Sequence, residues 1–152
     1  MTTSQALPQA LAEIVNDFQE LEERDRLTLL LEFSRSLPAL PERLSNHPEL
    51  LEQVVECQSP LFLTVESEKT DHGDVIRLFF QAPPEAPTTR GFASVLFEGL
   101  DGLTAEEILA VPDDMPEQLG LTRAISPLRM RGMSAMLGRV KRKIRGGVRP
   151  AA

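Results

Sequence analysis

The sequence predicts an α+β domain in which a small antiparallel sheet of about three strands is covered by helices. Three observations predict it. Apolar residues recur at helical spacing in the first part of the chain, alternate between Leu61 and Gln81, and return to helical spacing after that. Prolines gather where the period changes, at Pro38, Pro41, Pro48, Pro83 and Pro84. The 152 residues suit one ordinary domain, long enough to bury a core without staples.

The first helix is expected over Gln5 to Gln19, where Leu11, Ile14, Val15 and Phe18 form one stripe. A second starts near Asp25, an N-cap residue type, and carries Leu27, Leu30, Leu31 and Phe33 until Pro38 and Pro41 end it. The segment from Leu37 to Pro48 reads as a loop with room for one short turn. Pro48 opens a helical turn, and Val54-Val55 suit a strand. Leu61, Leu63 and Val65 form one face of a half-buried strand, and Ile76, Leu78 and Phe80 one face of the next. The polar stretch from Ser67 to Asp74 between them reads as a hairpin loop. After the break at Pro83-Pro84, Thr88 or Thr89 caps a helix that turns Phe92, Val95 and Leu96 inward, with Gly99 past its end. Thr104 to Glu107 is a capping box for a short helix, and Met115 to Leu121 holds another short piece. Ser126 caps the last helix and Pro127 opens it, with Leu128, Met133, Met136, Leu137, Val140 and Ile144 expected inward. The domain spans residues 1–145, and residues 146–152 read as a flexible basic tail.

Composition narrows the function. Apolar residues at 41% and charged residues at 26% suit a soluble globular chain, and no apolar run is long enough to cross a membrane. The N-terminus lacks a signal-peptide pattern, and one unpaired cysteine fits a reducing compartment, so a cytoplasmic location is expected. All 23 acidic residues and 7 bases lie between Met1 and Glu117, a net −16, and the other 9 bases follow, a net +9. Such a split marks a basic last helix that complements the acidic body, or a docking surface. With no Trp or Tyr there is no platform for stacking bases, which argues against nucleic acid as partner. No metal-ligand spacing, phosphate-binding glycine loop or carboxylate pair stands out, so neither a metal nor a cofactor is expected.

Cys57, the only cysteine, is the leading site candidate. A thiolate is a strong nucleophile, and sulfur can hold a second sulfur as a persulfide. A lone intracellular cysteine is most often a small buried hydrophobe. Here it ends a β-like run and is followed by Gln58, Ser59 and Pro60, where a loop tip is expected. His47 and His72 lie in polar loops and read as solvated, so a cysteine–histidine pair is not expected. The residues alone give a presented thiol with nothing to activate it. That suits a carrier whose chemistry a partner supplies. An interaction module docking an acidic partner through its basic C-terminal helix, and an RNA-binding accessory protein using the same helix, are the alternatives.

Three stretches carry a resemblance to the SufE family of sulfur acceptors: ECQSPLFL from Glu56, RGFASVLFEGLDGLTAEEIL from Arg90, and LGLTRAISPLRMRGMSAMLGRVK from Leu119. The last contains the S-P-x-R-x-x-G pattern at Ser126, Pro127, Arg129 and Gly132. The resemblance implies a SufE/IscU-like fold. It implies that Cys57 takes persulfide sulfur from a pyridoxal-phosphate cysteine desulfurase of the SufS or CsdA type, stimulates that enzyme, and passes sulfur to an iron–sulfur scaffold of the SufB type. The acceptor would be an accessory protein, a monomer or weak dimer, and not a stand-alone enzyme. Arg129 would support the thiol, and Glu56, Gln58, Ser59, Glu85 and Arg131 would face the partner. Glu56 stands where the family has glycine, which removes a position tolerant of positive φ and adds a negative charge. Phe62 stands where the family often has Trp.

Glu52 and Glu56 are near Cys57 in the chain, and no Lys or Arg falls between Arg43 and Lys69. The thiol is therefore expected to be guarded, with Arg129 the candidate to offset the negative charge.

Overall fold

The computed structural model describes residues 7–150. Helix α1 spans Gln9–Gln19 and buries Leu11, Ile14, Val15 and Phe18, the expected stripe. Gln5 and Ala6, the start of that predicted helix, lie outside the described residues. Helix α2, Glu23–Phe33, begins two residues before Asp25. Asp25 does not cap it but sits in its first turn with Glu23, where both carboxylates face the positive end of the helix dipole. A single helical turn, α3, follows at Glu42–Ser45.

The sheet is built on one hairpin. Strand β1 is only Glu52–Gln53, paired antiparallel with the start of β2, Phe62–Thr70. β2 pairs antiparallel with β3, Gly73–Gln81. Val54-Val55 are not a strand: Val54 leads into a 3-10 turn at Val55–Cys57. The hairpin loop is far shorter than the polar stretch suggested, with Thr70 opposite Gly73 and only two residues between. Thr70 Oγ1 donates to the Gly73 carbonyl at 2.6 Å and accepts from the His72 amide, and Gly73 takes a φ of 107°. The polar residues are exposed strand, paired through their backbones. Further on, β4, Arg149–Pro150, runs parallel to β2 beside Glu66 and Ser67.

Leu63, Val65, Ile76, Leu78 and Phe80 face the helices and are buried. The opposite face is half covered, and this departs from simple alternation. Glu66 is 3% exposed there, held by Arg43 through two hydrogen bonds of 2.7 and 2.8 Å. The Arg43 guanidinium also lies 5.5 Å from the centre of the Phe79 ring.

Helix α4, Pro87–Leu100, is the central element, and α1, α2 and α6 pack round it. Gly99 lies within α4, where a Cβ would meet the Leu11 side chain at 2.8 Å. Arg90 fastens its first turn by donating to the carbonyls of Ser34, Ala82 and Leu37. The short helix α5, Ala105–Leu109, opens with the expected capping box between Thr104 and Glu107. A 3-10 turn at Met115–Leu119 precedes α6, Pro127–Arg145, which Ser126 caps. In α6 the inward stripe is Met130, Met133, Met136, Leu137, Val140 and Ile144. Leu128 is 40% exposed because it stands five residues before Met133, off the three-and-four spacing of that stripe. Among the described residues no helix is long and apolar enough to cross a membrane.

Gly91 sets the approach of α2 to α4, since a Cβ there would lie 2.3 Å from the Leu30 carbonyl oxygen. Alanine in mid-helix normally adds about 0.5–1 kcal/mol relative to glycine. Gly91→Ala is nevertheless expected to destabilise the domain by about 2 kcal/mol or more, because a backbone atom must move. Denaturant unfolding checks this, and a stabilised variant would show that the two helices separate at little cost.

Candidate functional site

The cysteine turn is closed at its base by two core residues. The Val54 amide donates to the Leu61 carbonyl at 2.9 Å, and both side chains are fully buried. Inside that closure the amides of Cys57 and Gln58 donate to Val54 and Val55, each at 3.1 Å. Gln58 then takes the left-handed conformation, φ 59°, the single non-glycine residue with positive φ among those described. The strained position is thus Gln58. Glu56 lies within the right-handed 3-10 turn, so replacing glycine there removes no conformation that this turn uses.

The thiol is tucked under the turn, not presented at its tip. Cys57 is 9% exposed and belongs to the core, and Sγ–H donates to the Gly132 carbonyl on α6 at 3.5 Å. Gly132 makes this approach possible. A Cβ there would lie 3.1 Å from Cys57 Cα, 3.3 Å from the Glu56 carbonyl oxygen and 3.4 Å from Sγ. The cleft beside the sulfur is lined by Thr88 and Thr89 from α4 and by Arg129, Gly132, Met133 and Met136 from α6. Burial, with the Glu56 carboxylate adding to it and Arg139 opposing it, pushes the Cys57 thiol up to about 11. The shift has the direction that the acidic neighbours led one to expect, and burial is its chief cause.

Arg139 holds the turn from outside. It donates to Glu56 at 2.8 Å, to the Gln53 carbonyl at 3.1 Å and to Glu52. A backbone amide, joined by the hydrogen-bonded charge of Arg139, holds the Glu56 carboxyl below the usual range. Burial opposes ionisation of Glu52, but Arg139 and Lys143 outweigh it and hold that carboxyl low as well. Arg142 and Lys143 reach Glu52 at 3.3 and 3.2 Å, and buried Lys141 pairs with Asp113 at 2.7 Å. Much of the basic helix is therefore spent on the acidic body of its own domain. That favours the self-complementing reading of the charge split over a free basic docking face.

The other residues singled out are scattered round this centre. Arg129 is exposed and lines the cleft, but the cation that offsets Glu56 is Arg139. Gln58 is exposed and Ser59 half-buried on the turn itself. Arg131 is exposed on the first half of α6, and among the described residues neither it nor Arg129 makes an ion pair. Glu85 is exposed in the Pro-rich loop before α4 and does not line the cleft. His47 pairs with Glu49 and His72 sits in the hairpin turn, so neither attends the thiol. Arg139 was not apparent from the sequence. The available signal was its spacing seven residues after Gly132, on the same helix face, opposite two glutamates four residues apart.

The chain is similar to known proteins over nearly its whole length. The SufE family, described as an Fe-S metabolism associated domain, matches residues 12–144. An uncharacterized SufE-like protein of Mycobacterium tuberculosis is 55% identical over 95% of this chain and 98% of its own. The SufE-like protein 1, chloroplastic/mitochondrial, of Arabidopsis thaliana is 27% identical over 90% of this chain and 35% of its own. The solution structure of a hypothetical protein from Thermus thermophilus superposes with a TM-score of 0.76 at 35% identity, covering 92% of this chain and 96% of that one.

The buried thiol gives a pH signature. The folded chain holds its proton more tightly than the unfolded chain, so the stability this adds is intact below pH 9 and is lost as pH rises towards 11. The stability of the wild type relative to Cys57→Ser should fall across that window, and alkylation of Cys57 should be slow at about pH 7.5, a full unit below the ordinary thiol pKa. Denaturant midpoints and the alkylation rate against pH check both. An alkylation midpoint below the ordinary thiol value would contradict the burial.

Proposed function

The chain belongs to the SufE family, and on that footing we propose that it is a sulfur acceptor and carrier for Fe-S metabolism. Cys57 takes sulfane sulfur from a pyridoxal-phosphate cysteine desulfurase, and the acceptor speeds that enzyme by clearing its persulfide. It then hands the sulfur to an iron–sulfur scaffold, in the cytoplasm. The observation that carries the reading is the placement of the chain's one cysteine. It sits in the stretch that resembles the family's cysteine loop, on a turn closed by two core residues and sheltered by α6.

Cys57 gives up its proton, and the thiolate attacks the terminal sulfur of the donor's persulfide. A bond forms between Cys57 Sγ and that sulfur, and the donor's S–S bond breaks. The donor cysteine leaves as a thiolate and takes up the released proton. The sulfur moves at its existing oxidation level, so no oxidant is needed. A thiol pushed up to about 11 is almost wholly protonated at neutral pH, and Cys57 is buried with its S–H donated to the Gly132 carbonyl. Transfer therefore requires the turn to open within the complex. Opening breaks the contacts of Arg139 with Glu56 and Gln53 while Val54 and Leu61 stay in the core as hinges. Exposed Gln58 and Glu56 and half-buried Ser59, with Arg129 and Arg131 on α6 and Glu85 on the loop before α4, form the face offered to the desulfurase.

Incubation with a cysteine desulfurase and cysteine should add the mass of one sulfur to the chain, and none to Cys57→Ser. A Cys57→Ser chain that still gains protein-bound sulfur would refute the carrier reading. Arg129→Ala should slow transfer several-fold and leave stability within about 0.5 kcal/mol, as an exposed side chain does. A sharp loss of stability with unchanged transfer would make Arg129 structural. Arg139→Gln should speed alkylation of Cys57 in the free protein several-fold, because release of the turn outweighs loss of a thiolate-favouring charge. An unchanged or slower rate would show that Arg139 does not restrain the turn.

A further inference from the structure

The outer edge of β3 is only partly closed. Successive residues of an antiparallel strand turn their backbone groups to opposite sides. Ile76, Leu78 and Phe80 turn theirs away from β2. The Ile76 amide donates to the Leu103 carbonyl at 2.7 Å, and the Gly102 amide donates to the Ile76 carbonyl at 2.8 Å. The Leu78 amide donates to Asp101 Oδ1 at 2.7 Å. There the cover stops. The Leu78 carbonyl and the Phe80 amide and carbonyl have no partner among the described residues. Unpaired groups in a row on a strand edge are a template for another strand. Beside them lies a hollow of about 120 Å³, walled by Leu40 and Pro41 of the loop before α3, by Phe79 and Phe80, and by Phe97 of α4. An apolar cavity of about 150 Å³ holds a benzene ring, so this one takes a single apolar side chain. β1, which leads into the cysteine turn, is on the other side of β2.

The rim of the hollow is acidic. Arg77 is the one cation among its lining residues, and Glu68 and Asp101 share it at 3.6 and 3.2 Å. Glu42 directly follows Pro41, Glu98 directly follows Phe97, and both are exposed. Arg43, next to Glu42, is given to Glu66, and Arg35 lines a separate hollow with Pro84 and Pro87. Four carboxylates thus stand round one guanidinium. We propose that this edge is a docking site for a short, basic, extended segment of a partner protein. The segment's backbone pairs with the Leu78 carbonyl and the Phe80 amide, one of its apolar side chains fills the hollow, and its cations meet Glu42, Glu98 and Asp101. A second copy of this chain is the poorer occupant, because its own β3 edge would bring the same carboxylates against these. The inference does not depend on the carrier reading. A partner held at this edge leaves the cysteine turn uncovered, whatever Cys57 carries.

The test is a titration of the full-length chain, labelled with nitrogen-15, with an acetylated and amidated hexapeptide of three lysine–valine repeats. Amide shifts should concentrate at residues 77–81 and 97–101. Exchange of the Phe80 amide with solvent should slow several-fold, while that of the Ile76 amide, already bonded, stays as it was. Raising the salt should weaken binding. A glutamate–valine peptide and a lysine–glycine peptide should each bind several-fold more weakly, the first for lack of cations and the second for lack of an apolar side chain. Glu98→Lys, a change at an exposed position, should weaken the lysine–valine peptide several-fold and leave the unfolding midpoint where it was. No shift at β3 with millimolar peptide would overturn the proposal. So would shifts spread evenly over the acidic body, or equal binding of the lysine–glycine peptide, since either means general charge attraction. Unchanged exchange at Phe80 would remove the strand pairing and the proposal with it. Sedimentation of the free chain as a dimer that the peptide splits would give the edge to a second copy and equally overturn it.

Discussion

The close approach of α6 to the cysteine turn at Gly132 is the constraint from which the rest of the site follows. With no side chain at Gly132, the helix backbone meets the turn at atomic contact, and its carbonyl accepts from the thiol at 3.5 Å. The same approach brings Arg139, two helical turns later, over Glu52 before the turn and Glu56 within it. It also aligns Met133 and Met136 with the first turn of α4 to leave the cleft beside the sulfur. A larger residue at 132 would displace the turn and with it the ion pair, the sulfur and the cleft.

The electrostatics run in two opposed layers. The inner layer disfavours a thiolate, because burial and Glu56 both push the Cys57 proton on. The outer layer of Arg139, Arg142 and Lys143 neutralises the acidic neighbours, and of these Arg139 also opposes the rise of the thiol. Such an arrangement suits a carrier. A thiol that ionises only when its turn opens is protected from stray oxidants and alkylators while the protein is alone. The contacts that close the turn are one ion-paired arginine and a weak S–H···O bond, while Val54 and Leu61 anchor its base in the core. The opening proposed above would therefore take only Cys57 out of the core.

Much of this was readable in the sequence. The α1 stripe, the Thr104 capping box, Ser126-Pro127 at the start of α6 and the alternation of Ile76, Leu78 and Phe80 all depend on neighbours within one or two turns or along one strand. Local physics decides such features. Cys57 stood out because it was alone, and the stretches around it carried the resemblance. Where the reading missed, a distant partner decided. Val54-Val55 have strand composition, but the chain must turn there to bury Cys57 against α6. Glu66 is a charged residue buried on a strand because Arg43, 23 positions earlier, returns to cover it.

The sequence by itself determined the element types, the single thiol and the opposed charges of the two parts of the chain. Periodicity, capping chemistry and net charge are properties of neighbouring residues, and folding does not alter them. Only the tertiary structure decided which charges meet. It gave Glu56 to Arg139 instead of Arg129, the arginine that the resemblance had pointed to, because the two differ by ten positions on one helix and point to different sides of it. It also decided that the cysteine of an apparent loop tip lies inward, where burial outweighs every charge nearby and sets the state of the sulfur.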